Sequence, residues 1–302
     1  MRVLVTGATG LIGRSLCRSL TGDGHDVIGL SRSARKPAEL AVAELHQWDG
    51  LMGPPPSGAL SGIDAAVNLA GEPLDARRWS DEQKKLIRDS RVITTRNLVE
   101  GLRSIDPKPA VFVSGSAVGF YGDRGDEELD ETAPPGRGFM SEVCQEWERE
   151  AARANESGIR VVQVRTGVVL SAEGGALKKM LAPFRLGLGG PLGSGKQWFP
   201  WIHIKDIAGI FRHAIYTSSL AGPVNGVAPE AVTNAEFTRE LARVVHRPAF
   251  LPVPEMALRV LIGEMAEVLF ESQRVVPKAA LASGYEFHYP LLAQALENLL
   301  GR

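Results

Sequence analysis

The chain has 302 residues, 44% of them hydrophobic and 23% charged, with a formal net charge of −1. That is enough for one large α/β domain with an appended lobe, or for two modest domains. The near-neutral balance excludes nucleic acid as the main partner, and no apolar run is long enough to span a membrane. Cys17 and Cys144 are the only cysteines, which fits a reducing compartment and offers no zinc spacing. A strand pattern begins at once and leaves no room for a signal peptide. The expectations are therefore a cytoplasmic protein, monomer or homodimer, with no metal and no membrane partner.

Residues 3–5 form a β-branched run that reads as a buried parallel strand. Gly7, Gly10 and Gly13 follow at three-residue intervals and lead into the periodic apolar positions Leu11, Ile12, Leu16 and Leu20. One glycine makes the turn, one lets backbone approach a pyrophosphate, and one lets the helix lie close on the strand. The phosphates would meet unpaired N–H groups at the helix start. Strand before and helix after are the context this motif requires. Gly7, Thr9, Gly10, Leu11, Ile12 and Gly13 are thus candidate cofactor contacts; a tight βα turn without a ligand is the competing reading.

Residues 26–30 read as the second strand. An acid just past it would bond the ribose 2′-hydroxyl of NAD. This chain instead has Ser31, Arg32 and Ser33, with Arg35 and Lys36 behind and no carboxylate. A guanidinium pairs with a 2′-phosphate that an acid would repel. The prediction is NADP(H) over NAD(H), through Ser31 and Arg32, against a merely solvated basic loop.

Residues 46–49 look like a short third strand ending near the adenine. Residues 64–69 are the next buried strand, closing in Leu69, Ala70, Gly71 and Glu72, and small residues at this edge let a cofactor pass close to backbone. A helix follows over 81–102, with Ser80 as its cap. Ile87, Arg91, Thr94, Thr95 and Leu98 share one stripe, so Arg91 interrupts an apolar face and needs a partner. That partner is a structural carboxylate, cofactor phosphate or ribose, or an anionic substrate.

Residues 109–113 give another strand, followed by Ser114-Gly-Ser116 and Tyr121-Gly122. Residues 139–155 read as helix, with Phe139, Val143, Trp147 and Ala151 along one face, and 159–164 as the sixth strand. This alternation implies a right-handed, doubly wound parallel sheet. After Leu170 the composition changes. Gly174-Gly175 opens a helix with Leu177, Met180, Leu181 and Phe184. A glycine-rich run over 187–195 then carries Lys196, Gln197 and Trp201, a pattern suited to a substrate lid. Residues 224–228 return to the sheet edge, and Thr233 with Glu236 resembles a capping box. The expected division is a nucleotide-binding domain over 1–170, with 201–228 returning to it. The substrate lobe, smaller and mostly helical, takes 171–200 and 229–302.

The glycine turn with Thr6, Asn68-Leu-Ala-Gly71, Ser116 with Tyr121-Gly122, and Trp201-Ile-His203-Ile-Lys-Asp206 resemble an extended short-chain dehydrogenase. Nearly the whole chain is similar to one branch, the NADP-linked "epimerase family" proteins: NAD-dependent epimerase/dehydratase-like, with a C-terminal domain of unknown function. Arg165-Thr-Gly and the run over 183–190 carry that closer match. The resemblance implies a Rossmann-like fold, NADP(H) as cofactor, and an oxidoreductase or epimerase activity. It also implies that Leu69, Ala70, Arg91 and Val169 line the cofactor.

Short-chain dehydrogenases use a tyrosine and a lysine four residues later, the lysine lowering a phenol pKa of about 10 so that it exchanges protons near neutrality. In register, this chain has Phe139 and Val143, and neither moves a proton. Ser116 matches the usual polarising hydroxyl, and Tyr121 is a substitute proton donor in the same loop. Glu142 and Cys144 flank the altered position but point away from its stripe. Cys17 reads as packing, and His203 as docking the lobe. Lys196 and Gln197 are candidates for substrate contact. Two functions follow: an NADP(H)-dependent reductase or epimerase on a small polar or carbonyl metabolite, with Ser116 bonding the developing oxyanion, or a non-catalytic NADP(H)-binding redox sensor.

Overall fold

Aliphatic runs too short for helices pair side by side into one sheet. Its strands are β1 (Arg2–Thr6), β2 (Asp26–Ser31), β3 (Glu44–Gln47), β4 (Ala65–Asn68), β5 (Val111–Ala117), β6 (Arg160–Thr166) and β7 (Gly222–Gly226). All pair parallel, in the order β7-β6-β5-β4-β1-β2-β3. The order reverses between β1 and β4, and such a reversal opens a crevice at the carboxyl ends of the strands. This computed structural model describes residues 1–301 except 34 and 36. Lys36, one of the cations expected behind the second strand, lies outside the described residues.

The helices of eight residues or more are α1 (Leu11–Gly22), α2 (Asp81–Ser104), α3 (Phe139–Ala152), α4 (Gly175–Arg185), α5 (Ile204–Tyr216), α6 (Asn234–Val245), α7 (Glu255–Ile262) and α8 (Leu292–Leu300). Strand side chains alternate between faces. Val3 and Val5 therefore pack with Leu16 and Leu20 of α1 and Phe211 of α5. Leu4 and Phe112 pack on the other side with Leu98 and Leu102 of α2. Each fully buried side chain of this kind contributes about 1.5–3 kcal/mol. Ser80 caps α2 by accepting from the Gln83 amide, and Asp81 and Glu82 sit in its first turn, where the helix dipole favours acids. Thr233 and Glu236 form the reciprocal capping box of α6.

A second core joins Leu177, Leu181 and Phe184 of α4 to Phe237 and Leu241 of α6 and to Leu292 and Leu296 of α8. The tail does not stay with it. Ala280 enters the core of the main sheet and Val275 packs beside Tyr121. Asp206, 0% exposed, accepts from the His288 amide at 2.7 Å and the Tyr289 amide at 2.9 Å. A buried carboxylate needs such donors, and this one draws residues 274–289 toward the sheet. The expectation that all of 229–302 lies in the lobe is corrected accordingly.

Several boundaries also differ: the third strand is Glu44–Gln47 and the returning strand Gly222–Gly226, each two residues earlier than expected. β5 runs through Ser114, Gly115 and Ser116 to Ala117 because β6 pairs with it as far as Thr166. Ladder bonds there outweigh the weak strand propensity of Gly and Ser. The third helix stops at Ala152 and tightens into a 3-10 turn over Arg153–Ser157.

Candidate cofactor cleft and active site

At the β1–α1 turn there is no room for side chains. Gly7 has φ +63°, and a Cβ there would lie 2.5 Å from the Leu69 carbonyl oxygen. A Cβ on Gly13 would lie 2.2 Å from the Gly7 oxygen. The Gly10 amide closes the turn by donating to that same oxygen at 2.9 Å. Thr6 Oγ1 donates to Asn68 Oδ1 at 2.6 Å and accepts from the amides of Leu69 and Ala70, tying the ends of β1 and β4 together. Asn68 Nδ2 in turn donates to Thr95 Oγ1 at 2.8 Å and fixes α2.

The result is a cleft of about 300 Å³. Gly7, Thr9 and Gly10 line it from the turn, Leu69, Ala70, Gly71 and Glu72 from the end of β4, and Ser31 and Arg32 from the end of β2. Gly13 packs behind the turn, Leu11 lies against Gly174 and Gly175, and Ile12 and Val169 pack on the sheet core. Trp48, Asp49 and Leu51 complete the wall together with Leu86, Ser90 and Thr94 of α2. Those last three stand four residues apart on one helix face, a stripe the sequence displays beside the one containing Ile87.

At the ribose end Arg32 Nη1 lies 3.4 Å from Glu72 Oε2, with the arginine side chain 76% exposed. An exposed pair of this kind is worth little, so a phosphate dianion can take the guanidinium over. Arg91 is different. Its Nη1 donates to the Ile87 carbonyl at 2.9 Å, and its guanidinium lies against Gly71 and 5.5 Å from the centre of the Trp147 ring. Among the described residues no carboxylate comes within ion-pair distance of it, which removes the structural carboxylate from its expected partners. Burial lowers the pKa of this guanidinium.

Beneath Ser116 lies a buried cluster that sequence spacing does not reveal. Ser116 Oγ donates to Glu148 Oε1 at 2.6 Å. Arg165 holds Glu148 in a two-pronged pair, Nε to Oε1 and Nη2 to Oε2, both at 2.9 Å. The Arg165 guanidinium also stacks 3.5 Å from the centre of the Phe120 ring. An ionised carboxylate only accepts, so the Ser116 proton is held by Glu148. The hydroxyl expected to donate to a substrate oxyanion is thus engaged inside the protein, and Ser116, buried, is not among the residues that line the cleft.

Tyr121 is 0% exposed, and its hydroxyl donates to Asn225 Oδ1 at 2.7 Å while accepting from Arg165 Nη1 at 3.0 Å. Burial raises its pKa. The hydroxyl expected as a substitute proton donor is thus engaged within the protein and does not line the cleft. Phe139 packs edge-on against Trp79, ring centres 5.3 Å apart, and Val143 is buried. Glu142 is exposed. Burial pushes Cys144 and Cys17 each up to about 12, leaving both as inert thiols. His203 stacks on Tyr289 and accepts from the Lys205 amide through Nδ1; burial pulls its pKa down to about 4.

The glycine-rich run is ordered by its own lobe. Gln197 Nε2 donates to the Leu192 carbonyl at 3.1 Å and the Gln197 carbonyl accepts from Asn234 at 2.8 Å; Lys196 is exposed. Trp201, expected in a lid, is 1% exposed in the lobe core, with Nε1 on the Glu230 carbonyl. None of the three lines the cleft. The lobe reaches the 75–84 segment elsewhere, where Lys179 pairs with Asp75 and Lys84 with Glu264. Arg78 lies against Gly263 and donates to the Arg259 carbonyl.

Comparison with known proteins agrees with this geometry. Residues 3–225 match the NAD dependent epimerase/dehydratase family, and residues 253–299 match a domain of unknown function, DUF1731. Epimerase family protein SDR39U1 of Homo sapiens is 42% identical, over 99% of this chain and 100% of that protein. Its chloroplastic homologue of Arabidopsis thaliana is 41% identical, over 99% of this chain and 87% of its own length. The crystal structure of human SDR39U1 isoform 2 with NADPH superposes with a TM-score of 0.90 at 40% identity, covering 99% of each chain. With its glycine turn, sheet order and match over most of its length, this chain belongs to the NAD dependent epimerase/dehydratase family.

Proposed function

We propose that the chain binds NADP(H) and works as a reductase or epimerase on a small polar or carbonyl-bearing metabolite. The observation that carries the cofactor half is the cleft itself. Its floor is close-packed backbone, and the loop after β2, which carries no acid of its own, presents Arg32 with only an exposed contact to Glu72. The relative solved with NADPH, matched end to end, supports the same reading. The catalytic half is supported by the family to which the chain belongs and by the lobe, which meets the 75–84 segment beside the cleft at Asp75, Arg78 and Lys84.

Bound nicotinamide supplies or accepts hydride; the protein orients it. Gly7 and Gly10 would admit the pyrophosphate, Arg32 the 2′-phosphate, and Arg91 an anionic group beside Gly71. The proton that accompanies hydride comes from water or another side chain, since Phe139 and Val143 carry none.

A second reading, a non-catalytic NADP(H) sensor, is favoured by the same altered positions: Phe139 is packed on Trp79 and the Ser116 proton is engaged. It requires different affinities for NADPH and NADP⁺, since only differential affinity shifts a conformational equilibrium. The test is NADPH oxidation by the pure protein across a panel of carbonyl metabolites, with Ser116→Ala alongside. Turnover lost in that variant supports the enzyme. No turnover, together with unequal affinities for the two redox forms, replaces it with the sensor.

A further inference from the structure

Arg14 follows Gly13 on α1 and is not among the residues that line the cleft. It is half-buried, and its guanidinium is tied by a bond from Nη1 to the Thr9 carbonyl at 3.1 Å. Among the described residues no carboxylate comes within ion-pair distance of it. A guanidinium offers several N–H donors, so most of its bonding capacity is left over. The position is also adverse for a cation. The start of a helix carries partial positive charge, and α1 has no acid in its first turn.

The direction of this side chain follows from its helix. Thr21 lies seven residues, about two turns, further along the same face and donates through Oγ1 to the Ala41 carbonyl at 3.1 Å. Leu40 and Val42 pack in one core with Leu16 and Leu20. This face of α1 therefore looks toward the segment joining β2 to β3, which begins at Arg32. Thr9, whose carbonyl Arg14 holds, lines the cleft together with Ser31 and Arg32. Arg18, one turn on, points instead to Glu173, 3.6 Å away. The charge already at the ribose end does not suffice for a dianion. Arg32 and Glu72 cancel as a pair, and a phosphate carrying about two negative charges beside Glu72 needs a further cation.

We infer that Arg14 is the second cation for the 2′-phosphate of NADP(H), meeting it from α1 while Arg32 meets it from the end of β2. The inference rests on the cofactor reading and adds a specificity-determining residue to it. Guanidiniums on two sides of one phosphate neutralise it through charge-assisted bonds. Thr9 already holds one end of the Arg14 side chain, so little freedom is lost when the phosphate arrives. The other anion near the start of α1 is the pyrophosphate, which NADH also carries, and the two nucleotides therefore separate the sources.

The experiment is titration calorimetry of the full chain with NADPH and with NADH, for wild type, R14Q and R18Q. R14Q weakens NADPH about tenfold and leaves NADH within about twofold. R18Q removes the same charge one turn away and changes neither affinity. Retained NADH binding and thermal unfolding check that the variants are folded, and R14M, which keeps the apolar stem, serves if R14Q is not. Equal losses with both nucleotides overturn the inference and assign Arg14 to the pyrophosphate. Wild-type NADPH affinity in the Arg14 variants overturns it as well, and so does an R18Q loss as large, which would trace the effect to the general field of the helix. If wild type prefers NADPH while R14Q is unchanged, this inference alone fails. If wild type binds neither nucleotide, the cofactor reading fails with it.

Discussion

The turn over residues 7–13 and the cluster under Ser116 lie at the carboxyl ends of strands in one sheet, yet they are made of different material. The first is backbone: amides, carbonyls and the missing side chains of Gly7 and Gly13. The second is side chains gathered from β5, α3 and β6, with Glu148 and Arg165 forming a buried ion pair around the serine hydroxyl. A site built from backbone tolerates change around it but not in it. A site built from buried charges depends on every member, because each neutralises another.

That contrast can be broken, and the largest effect should come from the charged cluster. Arg165→Ala leaves Glu148 buried without its cation and is expected to cost about 3–5 kcal/mol of stability, read by denaturant unfolding. A loss below about 1 kcal/mol, the scale of an exposed pair, would mean that the cluster is open to water.

Titration sharpens the comparison, because backbone amides do not titrate over the working range while buried side chains do. His203 has a folded pKa of about 4, below its usual value. Its neutral form is the one that folds, so stability is full above the unfolded pKa of about 6.5 and falls by up to about 3 kcal/mol as pH drops toward 4. His203→Asn, which retains a capping acceptor, should flatten this part of the stability–pH curve. An unchanged slope would place the proton dependence elsewhere.

In the backbone-built region, Gly13→Ala forces a Cβ to within 2.2 Å of the Gly7 oxygen. It should cost about 1–3 kcal/mol through overpacking and remove NADPH binding in whatever protein remains folded. Wild-type affinity in this variant would show that the turn does not approach the phosphates. The smallest effect is expected at the rim, where Arg32→Ala should weaken NADPH about tenfold, or roughly 1.4 kcal/mol, and leave NADH unaffected.

The same contrast explains what could be read from the sequence. The glycine turn, the acid-free loop after β2 and the small residues ending β4 are local patterns, and the structure brings them to one cleft. Ser116 is 32 residues from Glu148, and Tyr121 is 104 from Asn225. Such partners are set by strand order and helix rotation, which no local spacing encodes. Trp201 shows the opposite error: aromatic and polar residues in a glycine-rich run suggest a lid, but long-range packing on the lobe core buries the ring. The return of residues 274–289 to the sheet was hidden for the same reason, since it follows from one buried carboxylate, Asp206, far away in sequence.

Titration calorimetry of the pure protein with NADPH and with NADH tests the central claim most directly. The account predicts that NADPH binds at least about tenfold more tightly and that Arg32→Ala erases the difference. Equal affinities insensitive to that substitution, or no heat with either nucleotide from folded protein, would contradict it.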